Sequence, residues 1–424
     1  MIEVKTDQEQ YTKSFQISKR DIYDAYRKVK ANGGSAGVDG VTIPDFEKDI
    51  KSNLYKIWNR LSSGSYFPSP IRAVEIPKKS AGARILGIPC VDDRIAQSVI
   101  VMQLEPIFEG IFHQDSYGYR PNKSALDALT TTRRRCWEYD WVIEYDISSF
   151  FDSIDHDLMM KAVERHITKR WVLLYIKRFI TAPMQQVDGS ITPRTKGLPQ
   201  GSPLSPVLAN LFLHYAIDRF LDKNFPRIRF ERYADDGVIH ANNYSEAVSV
   251  LDTLNKRVHS LQLALNPDKT RIVYCKDSNR NARHENQSFD FLGYSFRPRL
   301  TKARTGVYFT SFSPAISNDA AKKIRAEIRS WRLHLRSGTE LAILAKEINP
   351  IVTGWINYYG RFNPSRLYRS LENINGYIFR YGRGKYKTLK RSHGKSMKWF
   401  LDQIKMYPDL FVHWKYGMVS LKVR

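Results

Sequence analysis

Hydrophobic and polar positions alternate along the chain with two periods, one helical and one strand-like, and these divide it into short mixed segments. Ile17, Ile22, Ala25, Tyr26 and Val29 recur at helical spacing and predict an amphipathic helix. A glycine-rich turn, residues 32–40, follows it. Carrying backbone amides and no bulk, that turn suits either close packing on a nucleic-acid backbone or a plain connection between helices. Residues 46–61 resume the helical pattern, and residues 72–89 read as two strands joined by a small-residue loop. Helices are expected over 91–128, with Asp92-Asp93-Arg94 opening one and Ile95, Val99, Met102 and Leu104 lining its buried side. A strand ends at Asp146, one or two amphipathic helices span 157–182, and a long helix starts near Leu204 with Leu208, Leu211, Phe212 and Tyr215 on one side. Residues 230–241 form a predicted hairpin. Ser245 then caps a helix whose Val248, Leu251, Leu254, Val258 and Leu261 are core-spaced, and strand-like segments follow at 266–270 and 291–296.

The hairpin carries the first candidate chemistry. Neighbouring strand residues point to opposite faces, so Asp235 and Asp236 can approach one site together only at a bend. Asp235-Asp236-Gly237 supplies the turn chemistry for one. Carboxylates at a bend suit Mg²⁺, a hard cation that takes oxygen ligands, although the same tripeptide also makes an ordinary solvated turn. Asp146 ends an apolar strand, where Asp is disfavoured, and the aromatic pair Phe150-Phe151 follows. Lys78 and Arg84 flank the loop between the two early strands. Such a pair can grip a triphosphate or form a solvated face. Helix-breaking residues stand on each side of Gln200 in the stretch 197–206, and Gly201 before a helix start permits close approach by a flat ligand or a backbone. His113 reads as structural because it has no partner at metal-ligand spacing, and Asp152 and Asp155 read as turn and cap residues.

Composition narrows the partners. With 424 residues and 42% hydrophobic content the chain can bury a large core, in two or three domains. A formal charge of +24 and a pI near 9.8 point to a polyanion, nucleic acid before anionic membrane. No apolar run reaches the ~18 residues of a membrane span and the N-terminus lacks a signal-like core, so a soluble, cytoplasmic protein is expected. Cys90, Cys136 and Cys275 lie far apart, without zinc or disulfide spacing, and read as plain thiols. Residues 321–424 hold 22 Lys and Arg against 6 Asp and Glu, with Trp and Tyr interleaved. Cations for phosphates and rings for bases suit RNA, which makes Arg380, Arg383, Lys385, Lys387, Lys390, Arg391, Lys395 and Lys398 the candidate RNA-binding residues. At helical spacing most of the rings would belong to the core.

Tyr-Ala-Asp-Asp at 233–236, Asp146 with Phe150-Phe151-Asp152, Pro-Gln-Gly at 199–201 and Phe291-Leu292-Gly293 together resemble the reverse transcriptases. The stretches 37–40, 76–89, 115–121 and 354–360 resemble the bacterial group II intron-encoded members, and that resemblance covers nearly the whole chain. It implies an α+β right-hand polymerase. An N-terminal extension and the start of the fingers would occupy 1–70, fingers and palm with an antiparallel sheet 71–312, and an α-helical thumb or maturase domain that binds intron RNA 313–424. It further implies two Mg²⁺ ions ~3.5–4 Å apart on Asp146 and Asp235, with Asp236 completing the acidic cluster. Phe151 would be the steric gate against a ribose 2′-hydroxyl, Lys78 and Arg84 the triphosphate-binding pair, and Gln200 and Gly201 would lie against the nascent base pair. Lys269 would donate a proton to pyrophosphate, and Phe291, Leu292 and Gly293 would grip the primer. Ser202 stands where many relatives carry a second glycine, with little effect expected. No Cys-rich endonuclease segment follows the maturase part before Arg424, so such a protein would leave second-strand cleavage undone and take its primer elsewhere. The implied partners are group II intron RNA, an RNA template with a DNA primer, a DNA target and dNTPs, with no membrane and the oligomeric state left open. A host role for a domesticated relative, or an RNA-splicing cofactor without catalysis, are the competing readings.

Overall fold

The computed structural model describes residues 14–77, 83–303 and 305–421; Lys78 and the side chain of Arg84 lie outside what it describes. By internal contacts the chain forms two compact units. One comprises the described residues up to Ala128 together with Ile143–Ile239 and Ser245–Arg271, and the other Leu129–Val142, His240–Tyr244 and the described residues from Ile272 onward.

Helix α1 (Lys19–Asn32) buries Ile22, Ala25, Tyr26 and Val29, and the Ser18 side chain caps it by accepting from the Arg20 N–H. The helix expected over 46–61 is two helices, α2 (Ile43–Glu47) and α3 (Ile50–Ser63), because Asp49 leaves the helical region at φ −132°. Strands β1 (Ile71–Pro77) and β2 (Ala83–Ile88) pair antiparallel, with Val74 opposite Leu86. Helix α4 (Val91–Glu109) is buried on nearly every side, Asp93 and Arg94 included, so its sequence shows little amphipathic stripe and Met102 is only half-buried. Helix α5 (Ala125–Glu138) leads to β3 (Trp141–Tyr145), which stops one residue before Asp146.

After a short helix α6 (Phe150–Ser153), two helices fill the next segment, α7 (His156–Glu164) and α8 (Arg170–Ile180). Asp155 caps α7 by accepting from the Leu158 N–H. The two-residue strands β4 (Met184–Gln185) and β5 (Ile191–Thr192) carried no sequence signal. The long helix is interrupted: α9 (Ser205–Leu213) passes through a π-helical turn at His214–Asp218 into α10 (Arg219–Asn224). Strands β6 (Arg229–Tyr233) and β7 (Asp236–Ala241) make the hairpin. Helix α11 (Tyr244–Ser260) begins before Ser245, which is therefore not its cap, and it buries Ala247, Val250, Leu254 and Val258. Leu254 and Val258 face the core as expected, while Val248, Leu251 and Leu261 are only half-buried, and in the first turns Ala247 and Val250 take the buried places instead. Residues 266–270 form a turn before β8 (Arg271–Tyr274) rather than a strand.

Strands β9 (Phe289–Phe291), β10 (Tyr294–Lys302) and β11 (Tyr308–Ile316) form an antiparallel sheet in the order β11-β10-β9. The other sheets run β2-β1-β4-β5, in which β1 and β4 are parallel, and β6-β7-β3-β8. The C-terminal helices are α12 (Asn318–Ser330), α13 (Leu341–Tyr359), α14 (Pro364–Leu371), α15 (Asn373–Lys385), α16 (Lys387–Lys390), α17 (His393–Met406) and α18 (Val412–Lys415). They enclose a core that includes Ile328, Val352, Ile378 and Phe400. Phe379, Tyr381, Phe411 and Trp414 also lie inside this core, so these aromatics are packing residues and not base platforms. Among the described residues no helix is long and apolar enough to cross a membrane.

Candidate active site

The hairpin turn is held from beneath by a buried network. Arg232 points inward from β6 and donates to both carboxylate oxygens of Asp218, at 2.7 and 2.6 Å, to Asn210 Oδ1 at 3.0 Å and to the carbonyl of Ala234 at 3.1 Å. Arg232 and Asp218 are fully buried, where an ion pair is tolerated only if its remaining hydrogen-bonding groups are also satisfied. Asn210 donates in turn to the Gly118 carbonyl at 2.7 Å. A Cβ on Gly118 would meet the Ala234 nitrogen at 2.4 Å, so the 115–121 stretch can lie against the turn only with glycine there. Ala234 adopts φ 55°, the left-handed conformation that swings the chain from β6 into Asp235. Gly237 is required by the opposite wall, since a Cβ would fall 2.1 Å from the Tyr145 ring.

This arrangement brings Asp236 to Asp146, the carboxyl that follows the end of β3. The two share a hydrogen bond, and burial, the neighbouring Asp235 and the contact with Asp146 push Asp236 up to about 7. Asp146 Oδ2 accepts from Lys269 Nζ at 2.9 Å and from Asn266 Nδ2 at 3.1 Å, while the Asn266 N–H donates to the Asp146 carbonyl at 2.8 Å. Burial opposes the charge of Lys269, but its bond to Asp146 and the nearby acids prevail and raise it. Three crowded acids, one of them shifted toward its protonated form, with oxygen donors only, fit a hard divalent cation that would relieve their repulsion. Among the described residues the three potential ligands with atoms all within 4.8 Å of one another are instead Asp39, Cys90 and Asp92. There burial pushes the Cys90 thiol up to about 11, and Gly37 packs directly on Cys90, so that group reads as a packed loop contact. The glycine-rich turn is anchored from within by Arg94, which donates to the Gly33 and Ser35 carbonyls at 3.0 and 2.9 Å, while Gly34, Ser35, Asp39 and Gly40 stay exposed.

Phe151 and the Gln200 loop are tied together. Leu198 N–H donates to the Phe151 carbonyl at 2.6 Å and Gly197 N–H to the Ile154 carbonyl at 2.7 Å. The Gly197 carbonyl accepts from Arg194 Nη2 at 2.5 Å and lies 2.8 Å from His156 Nε2. On the other side the Gly87 N–H of β2 donates to the Gln200 carbonyl at 2.8 Å, and a Cβ on Gly201 would meet the Gly87 carbonyl at 2.6 Å. Ile85, Asp152 and Gln200 line a small cavity of about 120 Å³ between these segments. Ser202 is buried and donates to Gln97 Oε1 at 2.5 Å, so this position is part of the packing.

In the second unit Leu292 and Gly293, at φ 50° and 78°, form the two-residue turn between β9 and β10, with Phe291 buried beside it. Tyr358 donates to the Leu292 carbonyl at 2.8 Å, and Tyr359 closes over Gly293, 3.0 Å from where a Cβ would sit. The C-terminal cations are spread over α15 to α17. Arg380, Lys387, Lys390, Arg391, Lys395 and Lys398 are exposed, while Arg383 and Lys385 are half-buried, Arg383 donating to the Lys390 carbonyl at 2.8 Å and Lys385 to Tyr381 at 3.0 Å. Sequence reading missed Arg232, Asp218, Asn210 and Asn266. An Asn inside the apolar helix α9 was the available signal.

A family model described as reverse transcriptase (RNA-dependent DNA polymerase) matches residues 76–296, and one described as the group II intron maturase-specific domain matches 321–399. The first spans more than half of the chain and the acids, turn and Gln200 loop just described, and the chain belongs to the reverse transcriptase family. Its pairing with the maturase-specific domain is the arrangement of group II intron-encoded proteins. Protein YkfC of Escherichia coli (strain K12) is 32% identical over 338 residues, covering 70% of this chain and 85% of its own. The group II intron-encoded protein LtrA of Lactococcus lactis subsp. cremoris is 30% identical over 241 residues, 57% of this chain and 39% of its own. The putative COX1/OXI3 intron 2 protein of Saccharomyces cerevisiae is 25% identical over 343 residues, 66% of this chain and 38% of its own. The chain thus spans about two-fifths of the length of the last two.

Proposed function

We propose that the protein binds a group II intron RNA, assists its splicing, and copies it into DNA from a DNA primer at a DNA target. The observation that carries this reading is the junction of Asp146, Asp236 and Lys269 at the Tyr233–Asp236 turn, in a chain that also matches the maturase-specific domain. Asp146 and Asp235 would hold two Mg²⁺ ions with Asp236 beside them; when bound, the ions activate the primer 3′-hydroxyl and neutralise the triphosphate. Lys269 reaches the acids from the turn before β8 and stays protonated, which suits it to give a proton to the departing pyrophosphate. Phe151 would exclude a ribose 2′-hydroxyl, Gln200 and Gly201 would lie under the new base pair, and Lys78 and Arg84 would hold the triphosphate. Phe291, Leu292 and Gly293 would position the primer end. The cations from Arg380 to Lys398 would bind the intron.

Two measurements test the reading. Asp235→Ala is expected to abolish primer extension while RNA binding stays within about twofold; loss of both together would end the division of labour. Sequencing the RNA that co-purifies from the native host is expected to return one long structured RNA containing this reading frame. A small unrelated RNA would replace the intron role with a host function and leave the polymerase assignment standing.

A further inference from the structure

The second unit contains a cavity of about 540 Å³ that none of the residues above uses. Its walls come from α5, the loop after β8, the β10–β11 hairpin and the segment that follows α13. The volume lies within the range of ordinary ligand pockets. Two guanidiniums face it, Arg133 and Arg361, and among the described residues neither has a carboxylate within 4 Å. The one acid in the wall, Asp277, is already taken by Arg280, which donates to Asp277 Oδ2 at 2.5 and 3.0 Å. Arg133 sits over the rings of Trp137 and Phe362 at 4.6 and 5.5 Å, and its Nε is buried with no hydrogen-bond partner.

Two like charges held in one partly buried cavity, one of them with an unused donor, are costly unless an anion joins them. Guanidinium forks match phosphate oxygens in geometry as well as in charge. The rest of the lining suits a base and a sugar. Trp137 and Phe309 leave 45% and 40% of their surfaces exposed at the wall, offering ring faces, and Asn279 and Ser311 offer polar groups beside them. Trp137 is fixed in place by donating to the Phe312 carbonyl at 2.8 Å, so its ring is preorganised.

We propose that this cavity is a subsite for one nucleotide unit, its phosphate held between Arg133 and Arg361 and its base against Trp137 or Phe309. It goes beyond the polymerase and intron-binding roles and stands without them. The unit is either part of a single strand or a free nucleotide, and the test separates these sources. The full chain, without primer or dNTPs, is titrated with a fluorescent 12-nucleotide oligouridine containing 4-thiouridine, irradiated, and the cross-linked peptides are identified. Cross-links on the peptides of Trp137 or Phe309 are expected, reduced at least tenfold in Arg361→Gln, an exposed position where folding is safe. The plot of log affinity against log salt should flatten by about 0.7 for that one lost phosphate contact. If millimolar uridine 5′-monophosphate suppresses the cross-links, the site takes free nucleotides; if they persist against it, the site takes a strand. Absence of cross-links at both peptides, with Arg361→Gln unchanged in salt slope, overturns the proposal and leaves the polymerase reading untouched. The variant Arg133→Gln with Arg361→Gln, checked for an unaltered melting profile, is expected to remove the remaining cross-linking.

Discussion

At the scale of the residue, the environment of a side chain decides more than its identity. Asp236 is driven toward the protonated form because burial adds to the charges of the adjacent Asp235 and of Asp146. Phe151 is half-buried on α6 with its carbonyl fixed by Leu198. Phe151→Ala is therefore expected to raise ribonucleotide use relative to deoxynucleotide use by at least about tenfold in kcat/KM; an unchanged ratio would remove its gate role. His413 offers a test of stability. It is fully buried against Asn375 Oδ1, at 2.8 Å, and burial holds it down at about 3, well below its ordinary value of 6.5. The folded form thus keeps a neutral ring while the unfolded chain takes up a proton. Stability is complete above pH ~6.5 and declines as pH falls toward 3, by up to ~1.4 kcal/mol per pH unit. Urea unfolding at pH 7.5 and pH 5.0 should show that difference, and His413→Gln should shrink it; equal pH dependence in both proteins would contradict the assignment.

At the scale of the element, glycines and buried polar side chains set where loops can lie. Gly197 has φ 80°, and a Cβ there would stand 2.9 Å from the carbonyls of Phe151 and Asp152. Gly197→Ala must displace the Gln200 loop from α6, and is expected to lower polymerase kcat/KM by tenfold or more and relax sugar selection together, with only a few degrees lost in Tm. Full retention of both kinetic properties would show that the loop is not coupled to Phe151. Helix periodicity located α1, α4 and α11, but the first turns of α11 bury Ala247 and Val250 rather than the predicted Val248 and Leu251, and most of α4 has no exposed face to read. Amphipathic reasoning works where one side meets water, and α4 lies inside. The π-helical turn at His214–Asp218 likewise has a tertiary partner in Arg232, which no local pattern announces.

At the scale of the whole molecule, charge is distributed unevenly. The excess of cations in the last quarter of the sequence lies on helices where Phe379, Tyr381, Phe400, Phe411 and Trp414 belong to the core and only a few rings, such as Tyr386, stay exposed, so electrostatics more than stacking should dominate RNA binding there. Reversing Lys390, Arg391 and Lys395 to Glu is expected to weaken RNA binding and to flatten its salt slope by about 2, from ~0.7 per lost contact on a single strand. An unaltered slope would place the RNA elsewhere.

The sequence by itself determined the local chemistry: the acids and their turn, the strand that stops at Asp146, the glycine turns, and the basic C-terminal quarter. These are legible because turn residues, periodicity and charge act over a few positions. Tertiary structure alone decided which distant groups meet. Asn266 and Lys269 reach Asp146 across more than a hundred residues, Arg232 ties Asp218 and Asn210 to the Ala234 carbonyl, and Tyr358 supports the Leu292 turn. Two of these bonds end on a backbone carbonyl, which every residue possesses, and the others join side chains that lie far apart in the sequence. They leave no trace in composition or spacing, and only the packing of the elements selects them.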